Sequence, residues 1–147
     1  MMRNGKLKGI AIRKESRAPM ELLNAADVSI DLGIDGDFRG KHVTRQVTLL
    51  AEEDWGDACS DLGADLPWTT RRANLLTDGI SFENTIGSHL QIGEIVLQVT
   101  GETQPCSRMD EAYSGLQDAL TPAWRGGVLC LVVTGGRIQM GDSIRFK

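Results

Sequence analysis

Apolar positions recur along the chain with two different periods, and the changes between them divide it into elements. Lys6 to Arg13 (KLKGIAIR) alternates apolar and polar residues and predicts a first strand. Arg17 to Asn24 reads as a connection, since Pro19 disfavours regular structure before it. Asp27 to Leu32 predicts a short second strand, Gly33-Ile34-Asp35-Gly36-Asp37 a turn with a hairpin-type Asp-Gly pair, and Phe38 to Lys41 a polar loop. Thr44 to Leu50 is a β-rich run. The period then becomes helical: Trp55, Cys59 and Leu62 recur opposite Glu52, Glu53, Asp54, Asp57 and Asp61, and Gly63 supplies a stop, so Ala51 to Leu62 is expected as a helix with Trp55 in the core.

Beyond Asp78-Gly79, another turn, the pattern apolar-Gln-apolar-Gly-acid occurs twice. Leu90 to Glu94 leads into a strand over Ile95 to Thr100, and Ile138 to Asp142 leads into one over Ser143 to Phe146. Unlike elements lie between the copies, so this is one turn type used twice. Met109, Ala112, Tyr113, Leu116, Ala119 and Leu120 share a helical face and predict a helix over Met109 to Leu120, stopped before Pro122. Gly127 to Thr134 (GVLCLVVT) is apolar on both faces, as in an interior strand, and Gly135-Gly136 reads as a tight hairpin turn. Many short strands with two principal helices point to a mainly β single domain over 1–147, a small closed or semi-closed barrel, because closure removes sheet edges.

Composition narrows the function classes. At 147 residues the chain can bury a core without disulfide or metal staples. A net charge of -4 weighs against a nucleic-acid partner. No apolar run approaches the ~20 residues that span a bilayer, and the positively charged N-terminus lacks a long apolar stretch, so no membrane partner is expected and a cytoplasmic location is the default. Three cysteines without a CxxC make no disulfide framework; Cys59 and Cys130 fall in apolar patterns and read as small buried hydrophobes. His42 and His89 lack zinc-ligand spacing to any cysteine.

Cys106 differs from the other two. It lies in Gly101-Glu-Thr-Gln-Pro-Cys106-Ser-Arg-Met-Asp110, between a strand end and a helix start, with Ser107 placed as N-cap and Asp110 at the third helical position. A helix N-terminus and the charge of Arg108 both favour thiolate, the form that acts as nucleophile and metal ligand. The opposing reading is a cysteine that happens to fall in a loop. Thr69-Thr70-Arg71-Arg72-Ala73-Asn74 is the second candidate. In a strand, Arg72 and Asn74 project to one face and Arg71 to the other, so a fork-shaped cation and an amide stand together as an anion clamp. The opposing reading is a solvated face with Arg72 paired to a carboxylate.

Several stretches, in order, resemble a stand-alone MOSC domain, the type found at the C-terminus of molybdenum cofactor sulfurases and in amidoxime-reducing proteins. They are GIDGD at Gly33 to Asp37, RQVTLL at Arg45 to Leu50, RRANLLTDGI at Arg71 to Ile80, LQIGE at Leu90 to Glu94, TQPCSRMD at Thr103 to Asp110 and GGRIQMGD at Gly135 to Asp142. The resemblance implies a β-barrel-like fold and a molybdenum cofactor (molybdopterin). It implies that Cys106 carries persulfide sulfur or ligates molybdenum, and that Arg72 and Asn74 line the same pocket. Arg71, Arg108 and Arg45, from the matched stretches, join them as expected cofactor-binding residues. The chain departs from longer relatives in showing no N-terminal pterin-holding barrel, and from many small ones in ending at Lys147 without further helices.

Three functions remain open. Cys106 handles sulfur or molybdenum, in sulfur delivery or in reduction of N-hydroxylated compounds. Alternatively Cys106 is the nucleophile of a cysteine hydrolase with His42 or His89 as base. Or the barrel binds an anionic small molecule or a partner without catalysis. There is no cysteine cluster for an iron–sulfur centre and no nucleotide-binding glycine motif after a strand, so electrons for a reduction would come from an external reductase.

Overall fold

Alternation in KLKGIAIR does produce a strand. In the computed structural model, which describes residues 4–41 and 45–147, β1 (Gly5–Ile12) buries Leu7, Ile10 and Ile12 and exposes Lys6 and Lys8. β5 (Val47–Ala51) and β6 (Leu75–Asp78) run parallel, joined through α1 (Glu52–Leu62). β7 (His89–Ile92), β8 (Ile95–Glu102), β9 (Val128–Thr134) and β11 (Ser143–Phe146) pair antiparallel with their neighbours. The sheet runs β11-β7-β8-β9-β5-β6-β1, and pairing of Gly5 with Ile144 closes it into a seven-stranded barrel. No helix among the described residues is long and apolar enough to cross a membrane.

The barrel interior is filled by side chains such as Leu7, Leu49, Leu75, Leu97, Val128 and Cys130, all fully buried. A second apolar layer lies between the outer barrel wall and the helices, where Trp55, Cys59, Met109, Leu116 and Leu120 pack on Leu50 and Leu76. Trp55 is therefore core, with its indole N–H donating to the Leu66 carbonyl at 2.9 Å. Helix α1 ends as its pattern predicts, at Gly63 with φ +64°.

Four local expectations give way to tertiary structure. The connection after Pro19 contains a short strand, β2 (Glu21–Leu23), which pairs with the second half of β1. The strand expected over Asp27 to Leu32 is β3 (Ala25–Ser29), which starts and stops earlier. Gly135-Gly136 is not a hairpin turn: β10 (Gly136–Gln139) leaves β9 and joins β3 and β4 (Gly33–Ile34) in a separate three-stranded sheet. The helix after Cys106 is broken into α2 (Ser107–Ala112) and α3 (Leu116–Leu120): Tyr113 is extended at the end of α2, and Gly115, at φ +90°, turns the chain into α3.

Candidate functional site

Arg71 and Arg72 do not stand on a strand. Trp68–Arg71 forms a single 3-10 turn, and Arg72 closes it in the left-handed region at φ 65°, ψ 30°. The left-handed bend separates Arg72 from Asn74, so the same-face pairing expected of a strand is replaced by a turn that presents Arg71 inward and Arg72 to the rim. Arg71 is buried. Its Nε donates to the Gly126 carbonyl at 3.1 Å and its Nη2 to the Thr103 carbonyl at 2.8 Å, tying the end of β8 to the entrance of β9. Gly126 is required there, since a Cβ would stand 2.4 Å from the Thr103 oxygen. The Arg72 guanidinium donates to the Ala18 carbonyl.

Asn74 is also buried and mostly committed to backbone. Its Oδ1 accepts from the Thr48 N–H at 3.0 Å and its Nδ2 donates to the Ala11 carbonyl at 3.1 Å. It holds β1 and β5 together where the parallel pair opens.

These residues line one cavity of about 300 Å³, at the barrel end where β1 and β8 finish and β5, β6 and β9 begin. That size is at the lower limit for small-molecule sites. The cavity gathers the predicted residues: Cys106, Arg71, Arg72, Asn74, Arg45 and Arg108 all line it. It also takes Arg13, Arg17 and Arg39, which sequence reasoning passed over. Seven of the chain's eleven arginines thus face one cavity, with no lysine and only two carboxylates, Asp37 and Glu111. The missed signal was the partition of basic residues: lysines lie outside, while arginines follow strand ends and turns.

The electrostatics match that crowding. Burial pushes the Arg71 guanidinium down to about 10, against the opposing pull of Cys106 and with Arg45 adding repulsion, so it stays protonated at neutral pH. Burial, then Arg72 and Arg39, lowers Arg13. Burial, then Arg45 and Arg108, lowers Arg39, and burial with Arg108 lowers Arg72. A low-dielectric cluster of like charges is stabilised by whatever anion enters it.

Cys106 is exposed, while Cys59 and Cys130 are buried, and burial pushes the Cys130 thiol upward. The N-cap of α2 is Cys106 itself, and no side chain caps the helix, so the Ser107 capping box is not formed. Since α2 is only six residues long, the expected dipole field at Cys106 is small, and its positive surroundings come from the arginines. The hydrolase reading loses one candidate base, because His89 lies in β7 and among the described residues no histidine lines the cavity. His42 lies outside the described residues.

The fold and the sequence both have relatives. The chain superposes on the YuaD protein from Bacillus subtilis with a TM-score of 0.82 at 19% identity, covering 99% of this chain and 98% of that one. It superposes on YiiM from Escherichia coli with a TM-score of 0.74 at 17% identity, covering 100% and 70%, and on YiiM from Geobacillus stearothermophilus with 0.75 at 16%, covering 97% and 75%. No curated protein matches it in sequence. A model of the MOSC domain matches residues 35–145, and by that match, which spans most of the barrel and all of its Cys106 turn, the chain belongs to the MOSC domain family.

Proposed function

We propose that the protein handles the molybdenum cofactor or its sulfur through Cys106, with the arginine cavity holding the anionic part of the ligand. The observation that carries this reading is the convergence of seven arginines on a cavity whose wall includes the one exposed thiol. Guanidinium forks match phosphate oxygens bidentately, whereas a thiolate is a soft ligand suited to molybdenum or to sulfane sulfur. The donor set fits the cofactor on both counts. Cys106 would be the protein's ligand to the metal, and Arg45, Arg72 and Arg108 would hold the phosphate. Among the described residues no three His, Cys, Asp or Glu side chains cluster to hold a metal by themselves, so a metal would arrive with its own ligand. When bound, that group supplies two-electron redox chemistry. Arg71 keeps the Cys106 turn in place through the Thr103 carbonyl and sets a buried positive charge beneath it. Reduction of N-hydroxylated compounds on this scaffold takes its electrons from a separate reductase. Sulfur delivery is favoured by the exposure of Cys106, which a partner protein can reach.

The test uses wild type and Cys106→Ser, each purified from a molybdenum-replete host. Metal analysis and intact mass are expected to show molybdenum, or an added sulfur, on wild type alone. Absence of both from wild type, or equal loading of the serine variant, would overturn the proposal.

A further inference from the structure

The cavity holds more positive charge than one phosphate needs. Seven guanidiniums face two carboxylates, and a phosphomonoester at roughly −2 neutralises less than half of the excess. Of the residues lining the cavity, two have a buried donor with no partner among the described residues: the hydroxyl of Thr103, a residue only 9% exposed, and the Nε of Arg45. A buried donor left unpaired costs folding free energy, so two of them beside a cavity that already faces Cys106 point to ligand oxygens there. The cavity also continues outward. A shallower depression is lined by Ser16, Phe38, Arg39, Lys41 and Arg108, and Ser16, Arg39 and Arg108 belong to both. Phe38 is 47% exposed, with the Arg39 guanidinium 6.0 Å from its ring centroid. A half-exposed aromatic ring beside cations is a stacking platform for a flat heterocycle that carries phosphate.

We infer that the site takes a nucleoside diphosphate moiety. The diphosphate extends from Thr103 and Arg45 outward to Arg39 and Arg108, and the base stacks on Phe38. This rests on the anion-cavity reading above and adds a second phosphate and a ring to the ligand. Neither half of the inference involves a metal or sulfur.

The experiment is calorimetric titration of the metal-free protein with inorganic phosphate, pyrophosphate, ADP and GDP at constant ionic strength. Pyrophosphate is expected to bind about tenfold tighter than phosphate, the gain of one further charge-assisted contact. ADP or GDP is expected to gain about fivefold or more over pyrophosphate from stacking. Phe38→Ala should erase the preference for nucleotide over pyrophosphate, and the near-isosteric Thr103→Val should weaken pyrophosphate and nucleotide alike, severalfold. The proposal is overturned if both nucleotides bind no tighter than pyrophosphate, if their advantage survives Phe38→Ala, if Thr103→Val changes nothing, or if pyrophosphate binds no tighter than phosphate. Because these probes contain no molybdenum or sulfane sulfur, failure of Cys106 loading leaves this result standing. Loading without nucleotide preference would sink this inference alone.

Discussion

Arg72 shows what a single residue gives up for the site. It occupies a left-handed position, φ 65°, at the close of a 3-10 turn, where glycine is the ordinary choice. A side chain there costs on the order of 1 kcal/mol. The chain nevertheless keeps an arginine, whose guanidinium reaches the Ala18 carbonyl and the rim of the cavity. Backbone strain concentrated beside a pocket is a mark of function. Two variants separate strain from contact. Arg72→Ala and Arg72→Gly both lose the guanidinium, but only glycine relaxes the backbone. The glycine variant is expected to be the more stable of the two by about 1 kcal/mol in urea midpoints, while both bind pyrophosphate equally weakly. An alanine variant as stable as the glycine one would show that the turn stores no strain. Nothing in TTRRANLL announces this turn: each residue there is compatible with a strand, and the left-handed bend follows from how Arg71 and Asn74 are drawn in by opposite walls.

Elements were legible where one face or both met the core. β1, α1, β8 and β9 follow their hydrophobic periods almost to the residue, because burial imposes the period. Elements whose form depends on a distant partner were not. β10 pairs with β3, more than a hundred residues earlier, so its two glycines gave a local hairpin reading that the sheet overrules. The split of α2 from α3 lies at Tyr113, which is extended, and Gly115, which is left-handed, within a pattern that otherwise stays helical. Gln46 is a third case, a polar residue inside an apolar run that seemed merely β-rich. It is buried, its Nε2 donates to the Ile30 and Gly40 carbonyls, and its Oε1 accepts from the Val132 N–H at 2.9 Å. Through these bonds it pins the loop bearing Asp37 and Arg39 to the barrel. Gln46→Leu leaves those groups unpaired and is expected to cost about 2–3 kcal/mol by urea unfolding. It should weaken anion binding as well, because the loop carrying Arg39 loses its anchor. A fully stable variant would mean that water satisfies the same groups.

At the scale of the whole molecule, charge is distributed against the average. The protein carries a formal -4, yet its largest arginine cluster converges on one barrel end. The acidic residues that set the net charge lie elsewhere, for example in the first turn of α1. Sequence totals conceal this, because an acidic sum argues against anion binding while the fold collects the arginines from five separate segments of the chain. The arrangement makes the arginine cavity a source of instability. Arg13, Arg39 and Arg72 are all held below the usual guanidinium range, by burial first and by neighbouring arginines second: Arg72 and Arg39 for Arg13, Arg45 and Arg108 for Arg39, and Arg108 for Arg72. Relief of that repulsion should be visible without any specific ligand. A double variant, Arg39→Gln with Arg108→Gln, removes two mutually repelling charges at the partly exposed rim. At about 0.01 M salt, where the Debye length is about 30 Å, the variant is expected to be more stable than wild type by a margin of at most about 1 kcal/mol, since exposed charges interact weakly. At about 0.15 M salt, where screening acts within about 8 Å, the difference should shrink toward zero. Urea midpoints at the two salt concentrations measure it. Comparing the variants with wild type at each concentration cancels the response of the acidic surface, which salt also screens. A variant that is less stable than wild type at low salt would mean that Asp37, the carboxylate that raises Arg39, outweighs the arginines around it. The cavity would then be balanced by its own acids, and the drive for an anion to enter it would be correspondingly weaker.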